Sequence, residues 1–178
     1  MKKVRILDRD FELFIEAPTI QKSIKRIAMD INNDLKDKNP IFVVILNGSF
    51  MFAGDLMKHV SILSEITFVR IASYQGTSST KDTKEVLGLI EDIKDRTVVI
   101  VEDIVDTGNT IEKLLAQFKP LSPKEIKIAT LLFKPKALVK GVRPDYIALE
   151  IPNDFIVGFG LDYDGFGRNL QDIYKIKS

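Results

Sequence analysis

Residues 98–111 read VVIVEDIVDTGNTI, and three acids, Glu102, Asp103 and Asp106, stand beside the run Thr107-Gly108-Asn109-Thr110. The apolar start suits a buried strand. Ile111, Leu114, Leu115 and Phe118 then fall at helical spacing, so the polar residues occupy a strand-to-helix loop. Free N–H groups at the start of a helix, together with the helix dipole, favour a phosphate over residues 107–110. Gly108 allows close backbone approach, and Thr107 and Thr110 add hydroxyl donors. The run is neither GxxxxGK[ST] nor GxGxxG, so a triphosphate or a dinucleotide is not its natural ligand.

The carboxylates narrow the chemistry further. Two ionised carboxylates about 5 Å apart repel by roughly 3 kcal/mol at an effective dielectric near 20. A divalent cation, sugar hydroxyls or both must offset that repulsion at Glu102 and Asp103. Carboxylates accept hydrogen bonds from vicinal hydroxyls and attract Mg²⁺. A ligand with a phosphate at one end, a diol in the middle and a metal nearby satisfies every part, which describes a 5-phosphoribosyl group. Asp106 then sits close to the anomeric carbon. Taken singly, an E-D pair or a D-T-G is more often a strand end or a helix cap than a site. The D-T-G of aspartic proteases belongs to all-β folds, and the helix that follows this one argues against it. The whole combination, in its strand–loop–helix setting, carries the functional reading.

The elements that must hold these residues follow from periodicity. Ile20, Ile24, Ile27, Ala28, Ile31 and Leu35 predict an amphipathic helix over about 18–37, ended by Asn39-Pro40. IFVVIL (41–46) is a buried strand running into the tight loop Asn47-Gly48-Ser49, with FMFAGDLMKHV as the next helix. ITFVRIASY (66–74), VLGLIED (86–92) and TVVIVED (97–103) read as strands, and IKIATLLF (126–133), DYIALEI (145–151) and FIVGF (155–159) complete the sheet. QGTSSTKDTKE (75–85) is polar and aperiodic, a length that suits a lid or binding loop. Alternating strands and helices predict an α/β fold with a central, mostly parallel sheet flanked by helices, as a single domain over 1–178.

Bulk properties remove other classes. The 178 residues carry 26 Lys+Arg against 25 Asp+Glu, a net charge of +1, which gives no support to nucleic-acid binding driven by bulk charge. With no cysteine, disulfides and Cys-based zinc sites are excluded. The charged N-terminal stretch lacks the apolar core of a signal peptide, and no run approaches the roughly 18 apolar residues of a membrane span. A cytoplasmic location is expected.

VVIVEDIVDTGNTI closely resembles the phosphoribosyl pyrophosphate motif of type I phosphoribosyltransferases. LNGSFMF (46–52), the Ser73-Tyr74 pair, LLFKP (131–135) and PDYIALEIPNDFIVGFGLDYDGFGRNL (144–170) sharpen the resemblance to the hypoxanthine-guanine phosphoribosyltransferases, from about Val4 to Ile176. The resemblance implies the type I fold with a small hood and a flexible lid loop over the sheet. It implies that Glu102 and Asp103 meet the ribose hydroxyls directly or through Mg²⁺, that Asp106 faces purine N7 as general base or acid, and that residues 106–110 hold the 5′-phosphate. Asn47-Gly48 matches the pyrophosphate-binding loop, in which the family has a cis peptide. Lys134 matches the lysine that reaches the 6-oxo group, Phe155 the ring that stacks on the purine, and Ile156 the backbone that meets the purine edge. Asp162 matches a carboxylate of the purine and pyrophosphate side that faces a second metal. Arg168 matches a pyrophosphate contact, and Ser73-Tyr74 the base of the lid.

The sequence departs from the pattern at two places: Asn47 stands where Lys or Arg is usual, and Asn109 where many relatives have Lys. The lone histidine, His59, matches no role and reads as structural or solvated. The implied reaction joins ribose 5-phosphate from phosphoribosyl pyrophosphate to N9 of a 6-oxopurine, with Mg²⁺, in a homodimer or homotetramer. Two other readings stay open at this point. One is a regulator that keeps the fold to sense the same ligands, for which the roughly 40 residues before the first core strand are short and insufficiently basic for a DNA-binding module. The other is an enzyme for a different base. Lys134 with Phe155-Ile156 disfavours adenine and pyrimidines but not xanthine.

Overall fold

Continuous apolar runs build the central sheet, and a computed structural model describes it through residues 2–73, 84–139 and 141–177. Its strands are β3 (Ile41–Leu46), β4 (Glu65–Ser73), β5 (Lys84–Leu87), β6 (Thr97–Val105), β7 (Glu125–Phe133) and β8 (Tyr146–Glu150). They lie in the order β5-β4-β3-β6-β7-β8, parallel except for β5. Strands buried on both faces need apolar residues at successive positions, which is why IFVVIL and TVVIV read as unbroken runs. Ile41 to Ile45 and Thr97 to Val101 are buried throughout.

Helix α1 (Ala17–Asp34) and helix α2 (Phe50–Met57) cover one face, and helix α3 (Asn109–Phe118) the other. The isoleucine stripe of α1 points inward as its spacing predicts. The helix ends three residues before the predicted 37, because Asp37 and Asn39 adopt left-handed backbone conformations. At its start the Asp172 carboxylate accepts from Ala17 N at 2.8 Å, so a residue near the C-terminus caps a helix near the N-terminus.

Two strand expectations need correction. The predicted strand 86–92 is β5 at Lys84–Leu87, and residues 88–92 leave the sheet. The FIVGF segment does not complete the central sheet. Its Ile156–Val157 forms β9 of a separate antiparallel sheet with β1 (Lys3–Ile6), β2 (Arg9–Ile15) and β10 (Ile173–Ile176), in the order β1-β2-β10-β9. Residues 3–15, left without structure by the sequence reading, supply half of that sheet. This second sheet is the hood, with its own core of Ile6, Phe11, Val157 and Tyr174. Tyr74 and the predicted lid through Thr83 lie outside the described residues. Among the described residues no helix is long and apolar enough to cross a membrane.

Candidate active site

The loops that follow β3, β6 and β7 leave the same, carboxyl-terminal edge of the parallel sheet, where ligands of open α/β sheets bind. β3 delivers Asn47-Gly48-Ser49, β6 delivers residues 102–110, and β7 delivers Lys134. The Leu46–Asn47 peptide is cis, and the Asn47 side chain is exposed. Gly48 lies so close to Asp103 that a Cβ there would stand 1.6 Å from Asp103 Oδ2. A Cβ on Gly160, at φ +99°, would stand 2.0 Å from the Gly48 carbonyl oxygen. Two glycines therefore let three chain segments close on one carboxylate.

Gly108 takes a left-handed conformation as the N-cap of α3, and no side chain caps the helix. Asn109 N makes only a long 3.4 Å contact with Thr107 Oγ1. The first turn of α3 thus presents backbone donors to an anion. The preceding carboxylates are strongly perturbed. Burial, helped by the Asp103 charge, holds Glu102 well above the usual carboxylate range. Burial also pushes Asp103 up to about 6, opposed by a hydrogen bond from Ile104 N and by the Arg168 charge. Ser49 Oγ faces Glu102 and acts to lower its pKa, against the burial and the Asp103 charge, but without the geometry of a hydrogen bond. Glu102 Oε2 and Ser49 Oγ are both buried and unpartnered, which marks a place prepared for something polar.

Lys134 Nζ donates to Asp106 Oδ2 at 3.0 Å, with the lysine side chain 8% exposed and the aspartate 42%. A buried cation is thus paired with a carboxylate that opens to solvent. In the hood loop, Arg168 grips Asp162 Oδ1 at 2.7 Å and the Gly160 carbonyl at 2.7 Å, while Gly165 N donates to Asp162 Oδ2 at 2.6 Å. Phe155 is half exposed at the entry to β9, and Ile156 has a buried side chain in that strand. β9 is the outermost strand of the hood sheet, so only backbone groups of Ile156 are available to a ligand.

Residues 14–164 match the Phosphoribosyl transferase domain family. A hypoxanthine-guanine phosphoribosyltransferase of Streptococcus pyogenes serotype M3 is 40% identical over 175 residues, 97% of each chain. One from Streptococcus pneumoniae strain R6 is 37% identical over 174 residues, again 97% of each. The chain belongs to the hypoxanthine-guanine phosphoribosyltransferase family. Its fold is the type I phosphoribosyltransferase fold. The crystal structure of a hypoxanthine phosphoribosyltransferase from Staphylococcus aureus superposes with a TM-score of 0.84 at 32% identity, covering 93% of this chain and 91% of that one. A hypoxanthine-guanine phosphoribosyltransferase from Bacillus anthracis, with a HEPES molecule in its active site, gives 0.85 at 32% identity, covering 93% and 98%.

Within this phosphoribosyltransferase fold the sequence-predicted residues form two groups. Asn47, Gly48, Glu102, Asp103, residues 106–110 and Lys134 meet at the sheet edge. Asp162 and Arg168 reach Asp103 from the hood, since both charges act on its carboxyl group. Phe155 and Ile156 are held by hood neighbours. Ser73 ends β4, and Tyr74 lies outside the described residues. His59 is exposed beyond α2 and uses its backbone carbonyl to accept from Asn32 Nδ2, in line with a structural reading. Sequence reasoning gave no role to Ser49, Gly160, Tyr163 or Asp8. The glycine spacing of VGFGLDYDGFG carried a signal for Gly160, because repeated glycines mark close backbone approach. Nothing local marks Asp8 or Ser49.

Proposed function

We propose that the protein catalyses transfer of the 5-phosphoribosyl group from phosphoribosyl pyrophosphate to N9 of hypoxanthine or guanine, as a single phosphoribosyltransferase unit over residues 1–178. The observation that carries this reading is the Lys134–Asp106 pair beside the open N-terminus of α3. Along one edge of a 6-oxopurine, the O6 acceptor and an N7–H donor are neighbours. A cation donor next to a carboxylate acceptor is the complement of that edge. Adenine places an amine where O6 would be and meets Lys134 donor to donor.

The remaining groups divide the ligand between them. Residues 106–110 take the 5′-phosphate, and Glu102 and Asp103 take the ribose hydroxyls. The Asn47-Gly48 loop and Arg168 take the pyrophosphate, and Phe155 takes the face of the base. In the reaction the N9 lone pair attacks the anomeric carbon, and the bond from that carbon to pyrophosphate oxygen breaks with its electrons on the leaving group. Asp106 accepts the proton from N7. Arg168 and the α3 N-terminus hold anionic charge in place as it shifts.

Mg²⁺ fits the donor set as a metal that arrives with substrate. Among the described residues no three metal-ligating side chains cluster, yet Glu102 and Asp103 offer hard oxygens beside the orphaned Glu102 Oε2. Both oxygens of Asp162 already accept from Arg168 or Gly165, so Asp162 would serve a second ion only by sharing them. The metal would supply charge neutralisation of the pyrophosphate. Ser73 and Tyr74 would root the lid that excludes water.

Self-association as a dimer or tetramer finds support in the bare face of β4. Ile66 and Phe68 pair in register with Phe42 and Val44, which α1 and α2 cover, yet remain exposed. Action in the cytoplasm fits a substrate that is already phosphorylated. The test is nucleotide formation from phosphoribosyl pyrophosphate and Mg²⁺ with hypoxanthine, guanine, xanthine and adenine supplied separately. Turnover with 6-oxopurines and not adenine is expected; tight ligand binding with no turnover for any base would turn the reading to a sensor.

A further inference from the structure

The geometry points to Tyr163 as the residue that positions Phe155 for the purine, an inference that rests on the reading of Phe155 as the base platform and deepens it. Three rings meet in the hood. Phe155 and Tyr163 have centroids 6.0 Å apart with planes at 88°, Phe11 and Tyr163 are 6.1 Å apart at 55°, and Phe11 and Phe155 are 6.3 Å apart at 39°. Phe11 is wholly buried, while 47% of Phe155 is open to solvent. The open ring therefore stands on two neighbours. A perpendicular ring contact places the positive edge of one ring against the negative face of the other, so it fixes tilt as well as position.

Tyr163 is itself held from two sides. Its hydroxyl donates to Asp8 Oδ1 at 2.8 Å, in the turn between β1 and β2. Its backbone exchanges 3.0 Å hydrogen bonds with Phe166 across the two-residue turn Asp164-Gly165, both in left-handed conformations. The same turn carries Asp162, already clamped by Arg168 and Gly165 N. One rigid hairpin thus bears the anion-facing clamp at 162 and the aromatic brace at 163. This matters because N9 must be aimed at a carbon held by the other half of the site. A platform free to tip spreads the base over orientations and weakens its binding without touching the sugar phosphate.

The test compares KM for hypoxanthine, KM for phosphoribosyl pyrophosphate, kcat and the thermal midpoint across Phe155→Ala, Tyr163→Leu, Tyr163→Phe, Asp8→Ala and the double variant Phe155→Ala/Tyr163→Leu. Phe155→Ala should raise the base KM about tenfold, and Tyr163→Leu about fivefold, with the sugar-phosphate KM within about twofold in both. Tyr163→Phe and Asp8→Ala, which keep the rings and lose one hydrogen bond, should each raise the base KM about twofold. On the Phe155→Ala background, Tyr163→Leu should add less than about twofold, because its effect passes through the missing ring.

The outcomes separate the two readings. An unchanged base KM in Phe155→Ala overturns the platform itself and this inference with it. If Phe155→Ala acts while Tyr163→Leu is silent, or keeps its full effect on the Phe155→Ala background, only the positioning role falls. Should Tyr163→Leu fail to fold, Tyr163→Phe and Asp8→Ala decide. A rise confined to the base KM supports the role; both KM values moving together, or neither moving, overturns it.

Discussion

At the carboxyl edge of the parallel sheet, Glu102 Oε2 and Ser49 Oγ are buried without partners and the first turn of α3 has no side-chain cap. In the hood, Asp162, Arg168, Tyr163 and Asp8 are all engaged with one another or with backbone. The two regions handle polar groups in opposite ways. Strands packed on both faces are rigid enough to hold unsatisfied groups in place, so the sheet edge can keep donors and carboxylates ready for a ligand that brings the complement. A small antiparallel sheet has less to hold it, and its loop keeps its shape by satisfying itself. The sheet edge supplies unpaired charge and donors, and the hood supplies shape together with the already paired Arg168.

Removing the most exposed acid of the sheet edge should have the largest effect. Asp106→Asn is expected to lower kcat about 10²-fold, since the amide cannot accept the N7 proton. It should fold normally, because the amide oxygen can still accept from Lys134 Nζ. Steady-state nucleotide formation checks this, and an unchanged kcat would move proton acceptance to another group. Gly48→Ala comes next. A Cβ 1.6 Å from Asp103 Oδ2 must displace either the loop or the carboxylate, so the KM for phosphoribosyl pyrophosphate should rise at least about tenfold. A normal KM would mean that the loop can shift without cost to binding.

The contrast between the regions also explains what the sequence made legible. The parallel strands appear as unbroken apolar runs, and the loops after β3, β6 and β7 carry their chemistry within a few residues of those runs. Glu102, Asp103 and Asp106 could therefore be read from composition and spacing, whereas Lys134 took its role only from the family resemblance. The hood joins residues 3–15 to residues 156–176, and no local pattern announces a pairing between chain ends. FIVGF accordingly reads as a strand of the central sheet although its β9 lies in the hood. Phe155 and Ile156 look like core by periodicity, and only the family resemblance separated them from it. Tyr163 and Asp8 were invisible because their hydrogen bond spans 155 positions.

Acid titration offers a sharper form of the same contrast, because one carboxylate in each region is shifted in the opposite direction. The folded pKa of Asp103, about 6, lies above the ordinary aspartate value of 3.8, so the folded state holds that proton more tightly. Its stabilising contribution is full below about pH 4 and is lost as pH rises through 6. Asp103→Asn imitates the protonated form, so its stability advantage over the parent protein should grow by about 1 to 1.5 kcal/mol between pH 5 and 7.5. Asp172, beside β10, is held below the usual range by the hydrogen bond from Ala17 N and by Lys2. Its contribution is present above about pH 4 and disappears on further acidification. Asp172→Asn should therefore be less stable than the parent at neutral pH and converge with it only below pH 4. Urea titrations across pH test both, and parallel curves for the two variants would erase the distinction drawn here.

The smallest expected effect concerns Asn47, where the sheet edge lacks a charge that the family pattern usually carries. Its side chain is exposed, so a longer residue meets no steric obstacle. Exposed charge pairs are worth up to about 1 kcal/mol, and salt screens them over about 8 Å at physiological ionic strength. Asn47→Lys should therefore lower the KM for phosphoribosyl pyrophosphate by two- to fivefold at most at low salt, with the gain fading as salt is raised. If the backbone of residues 47–49 does most of the work on pyrophosphate, kcat stays where it was. A gain of about a hundredfold that survives high salt would mean instead that a buried cation had been missing, and that the sheet edge of this chain is less complete than its paired and unpaired groups indicate.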